Sequence, residues 1–299
     1  MTFFVYLPLL LPVLVALAAR PLAERARPRP AVLGLVTAAV LTAAGTVWSL
    51  LLLILTLFDD LPAMIAANAR HGMRLPEPVP DQIALAAAAL LTWALIRLAR
   101  DLHRRHDTVR RLRNAGPGTD GVVIADWSEP LAVAVPGRPG DVLLTTGMLR
   151  LLTPAERRAV IAHERAHLAH RHHTAVLLAG AAAAVNPLLR PVRETVTYLV
   201  ERWADEDAAR TVGDRTLVAR AVARAALATA HPTPTASLGM HGGVIVRRVR
   251  ALQGPEPATT RRLHATLAGA TVVVAGCALA IAVATADFLS VLSTWTNAP

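Results

Sequence analysis

Thr153-Pro154-Ala155-Glu156, followed by the H-E-x-x-H run His163-Glu164-Arg165-Ala166-His167, decides how this chain is to be read. Thr153 with Glu156 three residues on is a capping box, and Pro154 suits a first helical position. A helix therefore starts near Pro154 and runs past His167. Val160, His163, His167 and His170 then share one face. Two imidazoles four residues apart on that face stand about one turn from each other, so both can bind one zinc ion. Glu164 between them is placed to hold and deprotonate a water. The alternative is a chance match in a histidine-bearing helix. The capped helix weighs against it, because the spacing has meaning only inside a helix.

A zinc site of this kind needs a third protein ligand. The segment 193–212 reads as helix, with Gly213 as its stop. Glu201 and Asp205 are four apart and share a face. Glu201 suits the third ligand, with Asp205 accepting a hydrogen bond from a ligand histidine and fixing its tautomer. A solvated acidic face fits the spacing as well, since Glu206 and Asp207 adjoin. His170, His172 and His173 sit near a helix end beside Arg171, where cations are favourable, and are assigned no metal.

The surroundings are apolar. Of 299 residues, 54% are hydrophobic, too many for an ordinary soluble domain of this size. Four runs account for it, at 3–19, 31–57, 83–99 and 265–286. Each is near the ~20 residues that cross a bilayer, the third being the shortest. It spans if Arg97 snorkels, and otherwise is a buried core helix. The first run lacks a basic segment ahead of it and so is a poor signal peptide, although Ala16-Leu17-Ala18 resembles a cleavage site.

Arginine placement orients the spans. Arg20, Arg25, Arg27 and Arg29 lie between the first two runs, and a dense arginine series begins at Arg97. Arg247, Arg248, Arg250, Arg261 and Arg262 precede the fourth. The loop between the second and third runs has only Arg70 and Arg74, against four acidic residues. Positive loops stay in the cytoplasm, which puts both termini outside and the zinc segment inside a multi-pass cell-membrane protein. The +10 formal charge is then a matter of topology and of anionic lipid. With no nucleic-acid-binding motif present, a nucleic-acid partner is not expected. The single Cys277 lies within the fourth run, which excludes a disulfide scaffold.

Between the third and fourth runs, 101–114 reads as a basic helix leaving the membrane. The short runs 122–125, 131–135 and 142–145 read as a small antiparallel sheet. The stretch 175–189 is apolar but too short to span. It is either a buried helix or one resting on the bilayer, and contact with the bilayer would bring the zinc near membrane substrates. A helix from Asp214 to about 230 follows, then a Pro- and Gly-rich loop at 231–243.

Several of these motifs, in this order, resemble the BlaR/MecR group of membrane zinc peptidases. They are Pro136-Gly137-Arg138-Pro139-Gly140, the run 143–149, the capping box with the zinc motif, Asn186-Pro187, and Glu201-x-x-x-Asp205. The HtpX and CAAX-prenyl-protease group is similar in its zinc motif and its Glu-x-x-x-Asp. The resemblance covers about 125–252. It implies His163, His167 and Glu201 as zinc ligands and Glu164 as the catalytic base. It also implies an edge strand beside the active helix that pairs with an extended substrate; 141–146 is either that strand or a core strand with no substrate role. His231-Pro232 and Arg248-Val249-x-x-Leu252 resemble a downstream HtpX pattern. Either His231 or Arg248 could stabilise an oxyanion, or the segment is simply a membrane-proximal basic helix.

The expected architecture is mostly α: four membrane helices with a cytoplasmic, gluzincin-like α+β zinc peptidase domain. Residues 1–100 hold three spans, 101–264 the peptidase domain, and 265–299 the last span and a short outer tail. The expected partners are a protein substrate and the lipid bilayer, with a homo-oligomer left open. Three roles follow: regulatory cleavage of a transcriptional repressor, HtpX-like quality control, and a non-catalytic scaffold that keeps the metal site. Asn186-Pro187 favours the first and an intact Glu164 disfavours the last. The BlaR-type extracellular sensor domain is not expected, because few residues follow 286.

Overall fold

The computed structural model describes residues 6–57, 80–114, 116, 118–229 and 237–254, with scattered helical positions between 272 and 289. The loop carrying Arg70 and Arg74, most of the fourth apolar run, and His231 lie outside the described residues.

Among the described residues three helices are long and apolar enough to cross a membrane: α1 (Leu7–Arg25), α2 (Pro28–Leu55) and α3 (Asp81–Arg113). α1 and α3 turn large side chains outward, with Leu10 63%, Leu17 69% and Leu85 60% exposed, as lipid-facing surfaces do. α2 is the central helix, and its inner face is built of small residues. Ala31, Ala38, Ala39, Thr42, Ala43, Thr46 and Ser49 are buried there, which lets neighbouring backbones approach. Thr42 and Thr46 return their hydroxyls to the Ala38 and Thr42 carbonyls at 2.7 and 2.9 Å, so neither leaves a donor unpaired in an apolar setting. The basic helix expected at 101–114 is continuous with the third span. No Gly or Pro interrupts it between 81 and 113.

After α3 come three short strands, β1 (Val122–Ala125), β2 (Ala132–Val135) and β3 (Asp141–Thr145). The order is β1-β3-β2, with β1 parallel and β2 antiparallel to β3. The sheet is therefore mixed, not antiparallel throughout, and β3 is its centre rather than its edge. The reason lies in β3 itself. Val142, Leu143 and Leu144 are all buried, and an unbroken apolar run belongs between two neighbours with both faces covered. β2, with its plainer Ala-Val-Ala-Val, takes an edge.

Six helices follow: α4 (Thr146–Leu151), α5 (Pro154–Ala169), α6 (His172–Val185), α7 (Arg190–Val212), α8 (Arg215–Thr229) and α9 (Ser237–Gln253). Gly147 sits so close to the Ser128 carbonyl that a Cβ would meet its oxygen at 2.1 Å, which is why the second residue of α4 is a glycine. α6 is the apolar stretch expected to touch either the core or the bilayer. It packs against α2, α3 and α7, with Ala179, Ala182 and Ala183 buried in one cluster with α1 and α2. Asn186 caps the 3-10 turn Pro187–Leu189 by accepting from the Leu188 amide, and its Nδ2 donates to Thr46 of α2 at 3.1 Å. α7 joins two cores. Val192, Val196 and Leu199 belong to the span bundle, whereas Ala208 and Ala209 pack with α4, α5 and α8.

Candidate metal centre

The site is assembled on α5 and the middle of α7. The capping box at the start of α5 is complete: the Thr153 amide donates to Glu156 Oε2 at 2.9 Å, and the Glu156 amide donates to Thr153 Oγ1 at 3.4 Å. Arg224 of α8 pairs with the same carboxylate at 2.8 Å. Burial alone would raise the Glu156 carboxyl, but the Thr153 hydrogen bonds and Arg224 outweigh it and hold the group below its ordinary value. That fixes the start of α5 and the rotation of its buried face.

On this face His163 Nε2 and His167 Nε2 are 3.1 Å apart. Glu201 of α7 reaches in between, with Oε2 3.4 Å from His163 Nε2 and Oε1 3.7 Å from His167 Nε2. Among the described residues these three form the group able to hold a metal ion, with ligand atoms all within 4.8 Å of one another. Glu201 is thus not on a solvated acidic face. Glu206 is not either: it is buried and paired with Arg215.

Behind these candidate ligands lies a layer of charge. His163 Nδ1 is 3.0 Å from Asp205 Oδ1, and Asp205 is buried. Arg248 of α9 donates to Asp205 through Nε at 2.8 Å and Nη2 at 2.7 Å, while its Nη1 lies 2.9 Å from Glu201 Oε2. A planar guanidinium suits this two-pronged grip, which an ammonium could not reproduce. Burial disfavours the His163 cation, yet Asp205 and Glu201 together push its pKa up to about 10. Both carboxylates stay ionised, burial being outweighed by His163 and Arg248. His167 goes the other way: burial brings it down to about 4.

Glu164 points to the opposite wall of the site. Its Oε2 accepts the Ala134 backbone amide of β2 at 2.7 Å. Thr145 N to Leu131 O at 3.0 Å marks 131–145 as a hydrogen-bonded pair, so Ala134, paired with Val142, has its amide and carbonyl on the free edge. The edge strand beside the zinc-motif helix is therefore β2, not 141–146. Burial pushes the Glu164 carboxyl up to about 7, only partly opposed by the charge on His163.

The sequence reading missed His172. It is fully buried, and its Nδ1 lies 3.0 Å from His167 Nδ1. Arg171 adopts a left-handed conformation with φ of 51°, which ends α5 and folds the next residue back under the ligand. Nothing in Arg171-His172-His173 announces that turn, since arginine is not a residue that favours it. His170 does keep to the polar surround, pairing with Asp207 and stacking on Trp203 with ring centroids 4.5 Å apart.

A cleft of about 2030 Å³ opens onto these groups, walled by the basic half of α3, β2, the turn after it, α5, α6 and α8.

Residues 97–186 match the model of peptidase family M48. That stretch runs from the basic half of α3 through the zinc-motif helix to Asn186, and it stops short of Glu201. A protease HtpX homolog from Persephonella marina is 35% identical over 92 residues, which are 30% of this chain and 31% of that protein. The matched stretch spans about a third of the relative's length. No solved structure matches the chain. The likeness is thus to M48 peptidases over residues 97–186, in a chain with three helices, among the described residues, long and apolar enough to cross a membrane.

Proposed function

We propose that the chain is an integral-membrane zinc-dependent endopeptidase. One observation carries this reading: two imidazole nitrogens and a carboxylate converge on one point, with a second carboxylate held at the free edge of a strand. Two nitrogens and an oxygen, with room for a fourth ligand in an open cleft, are a donor set suited to catalytic zinc. His163, His167 and Glu201 would hold it. Bound there, zinc would polarise a scissile carbonyl and make a water acidic enough to attack near neutral pH.

The remaining work belongs to the chain's own side chains. The free edge of β2 takes the substrate as an added strand, through the amide and carbonyl of Ala134. Glu164 accepts a proton from the attacking water and passes it to the leaving amine, a task that suits a carboxyl whose pKa is raised towards neutrality. Asp205 and His172 hold the outer nitrogens of His163 and His167, and so set which nitrogen of each ring faces the metal. Arg248 keeps Asp205 and Glu201 in place and is the candidate donor for the developing oxyanion, the role also considered for His231.

The arginine distribution along the sequence favours a site on the cytoplasmic side, with both termini outside. The substrate is then a cytoplasmic protein or the cytoplasmic part of a membrane protein. Regulatory cleavage of a transcriptional repressor is the specific role we favour, because Asn186-Pro187 is among the motifs that resemble the BlaR/MecR group. The HtpX relative favours a second role, cleavage of other membrane proteins. Mapping new protein termini in cells carrying wild type or Glu164→Gln decides between them. Repressor fragments confined to wild type support the first, fragments of membrane proteins the second, and identical termini in both strains end the peptidase reading.

A further inference from the structure

The cleft is markedly basic on one wall. Arg104 and Arg110 of α3, Arg138 of the β2–β3 turn, and Arg171 line it, all four exposed and without a carboxylate partner among the described residues. Other arginines nearby are committed: Arg105 to Asp101 at 2.7 Å, Arg113 to the Pro136 carbonyl at 2.9 Å. Of the lining side chains only Asp141, Glu164 and Glu201 are acidic; Glu201 belongs to the metal group and Glu164 is tied to the Ala134 amide.

Membrane topology accounts for the first arginines of α3 but not for Arg110 at its far end. Arg97 stacks on Trp93 at 4.6 Å and donates to the Ala183 carbonyl, as a residue at the headgroup level would. At ~1.5 Å per residue, Arg110 lies about 20 Å farther along the helix. That is more than two screening lengths of about 8 Å at physiological salt, too far to feel anionic headgroups strongly.

The same wall is close to the reacting centre. Arg113 fastens the end of α3 to Pro136, two residues beyond Ala134 on β2, about 7 Å along the strand. A substrate strand laid on the free edge of β2 would leave the metal group and pass beneath Arg138 and Arg110 within a few residues. We propose that these arginines select substrates carrying an acidic segment a few residues from the scissile bond, on the side facing Pro136. This rests on the peptidase reading for its meaning but not for its measurement.

The test uses the full chain with Glu164→Gln, purified in a neutral detergent. The probes are a short fluorescein-labelled peptide rich in Asp and Glu and its Asn/Gln counterpart, read by anisotropy. The acidic peptide should bind about tenfold more tightly, the worth of two or so exposed ion pairs, and lose that advantage as salt is raised. Arg110→Glu with Arg138→Glu should abolish the preference, and Arg110→Gln with Arg138→Gln should remove most of it. Arg100→Glu with Arg111→Glu, on the same helix but outside the cleft, should leave it intact. Equal binding of the two peptides overturns the proposal, as does an equal loss in the control pair. So does a charge-reversal pair that changes only retention on phosphatidylglycerol vesicles, which would assign the arginines to lipid. The terminus mapping described above fails or succeeds independently of this binding measurement.

Discussion

The Ala134 amide donates to Glu164 Oε2 at 2.7 Å, so the proposed base is held by the free strand edge that we propose a substrate occupies. A peptide pairing with β2 must take that amide, and Glu164 is then free to turn to water. The contact holds this half-buried carboxylate in place while the strand edge is free.

Glu164→Gln preserves volume and can still accept the Ala134 amide. The variant should retain its metal and lose about 10²–10⁴-fold in peptide cleavage, the usual worth of a positioned base. Because the wild-type carboxyl is pushed up to about 7 and a bound cation would draw it down, the acid limb of kcat/KM should fall between pH 4.5 and 7. Near-normal cleavage by the metal-loaded variant would remove Glu164 from the mechanism.

Metal content is the next check. Purified wild type should carry about one zinc by elemental analysis, the stoichiometry of a single three-residue site. His163→Ala and Glu201→Ala should lose most of it. Full occupancy in Glu201→Ala would transfer the third ligand to another carboxylate.

Zinc uptake should also release protons. Without metal, His163 is pushed up to about 10, so at neutral pH it holds a proton that ligation must expel. Affinity should therefore weaken by about tenfold for each unit the pH falls through neutrality, one proton being displaced per ion. Calorimetry in two buffers of different ionisation enthalpy counts that proton directly, and a count of zero would contradict the His163–Asp205–Glu201 arrangement.

Arg248 is tested by substitution. Arg248→Ala strands Asp205 and Glu201 without their cation, and removing one partner of a buried pair costs about 3–5 kcal/mol. A lower thermal midpoint and a 10–100-fold loss of zinc affinity are expected, roughly the cost of removing a group that orients ligands. Arg248→Lys should recover little, since it cannot grip both oxygens. Full rescue by lysine would reduce Arg248 to a point charge.

Glu156 gives a pH-dependent stability. Its folded carboxyl titrates below the ordinary 4.5, so its stabilisation is present above that value and is lost as pH falls through the depressed one. The gap in thermal midpoint between wild type and Glu156→Gln should be widest near neutral pH and close in acid. A gap independent of pH would mean that only the shape of the side chain matters.

Much of this site was legible because it is written in helical periodicity. His163, Glu164 and His167 needed only a capped helix, and Glu201 with Asp205 needed one more. The strand order was harder. Three short apolar runs fit several sheets, and only the unbroken burial of 142–144 picks out a centre. His172 was hidden by a left-handed turn at an arginine, and the grip of Arg248 on Asp205 spans 43 residues with no local pattern to reveal it.

α7 is a shared axle. Its first half turns within the span bundle, and its middle carries Glu201 and Asp205, with no hinge or linker between. Excising the peptidase segment at residue 101 would strip α1 and α2 from Val192, Val196 and Leu199 and leave those side chains bare. One unbroken helix thus ties the orientation of the membrane helices to that of Glu201, the candidate ligand.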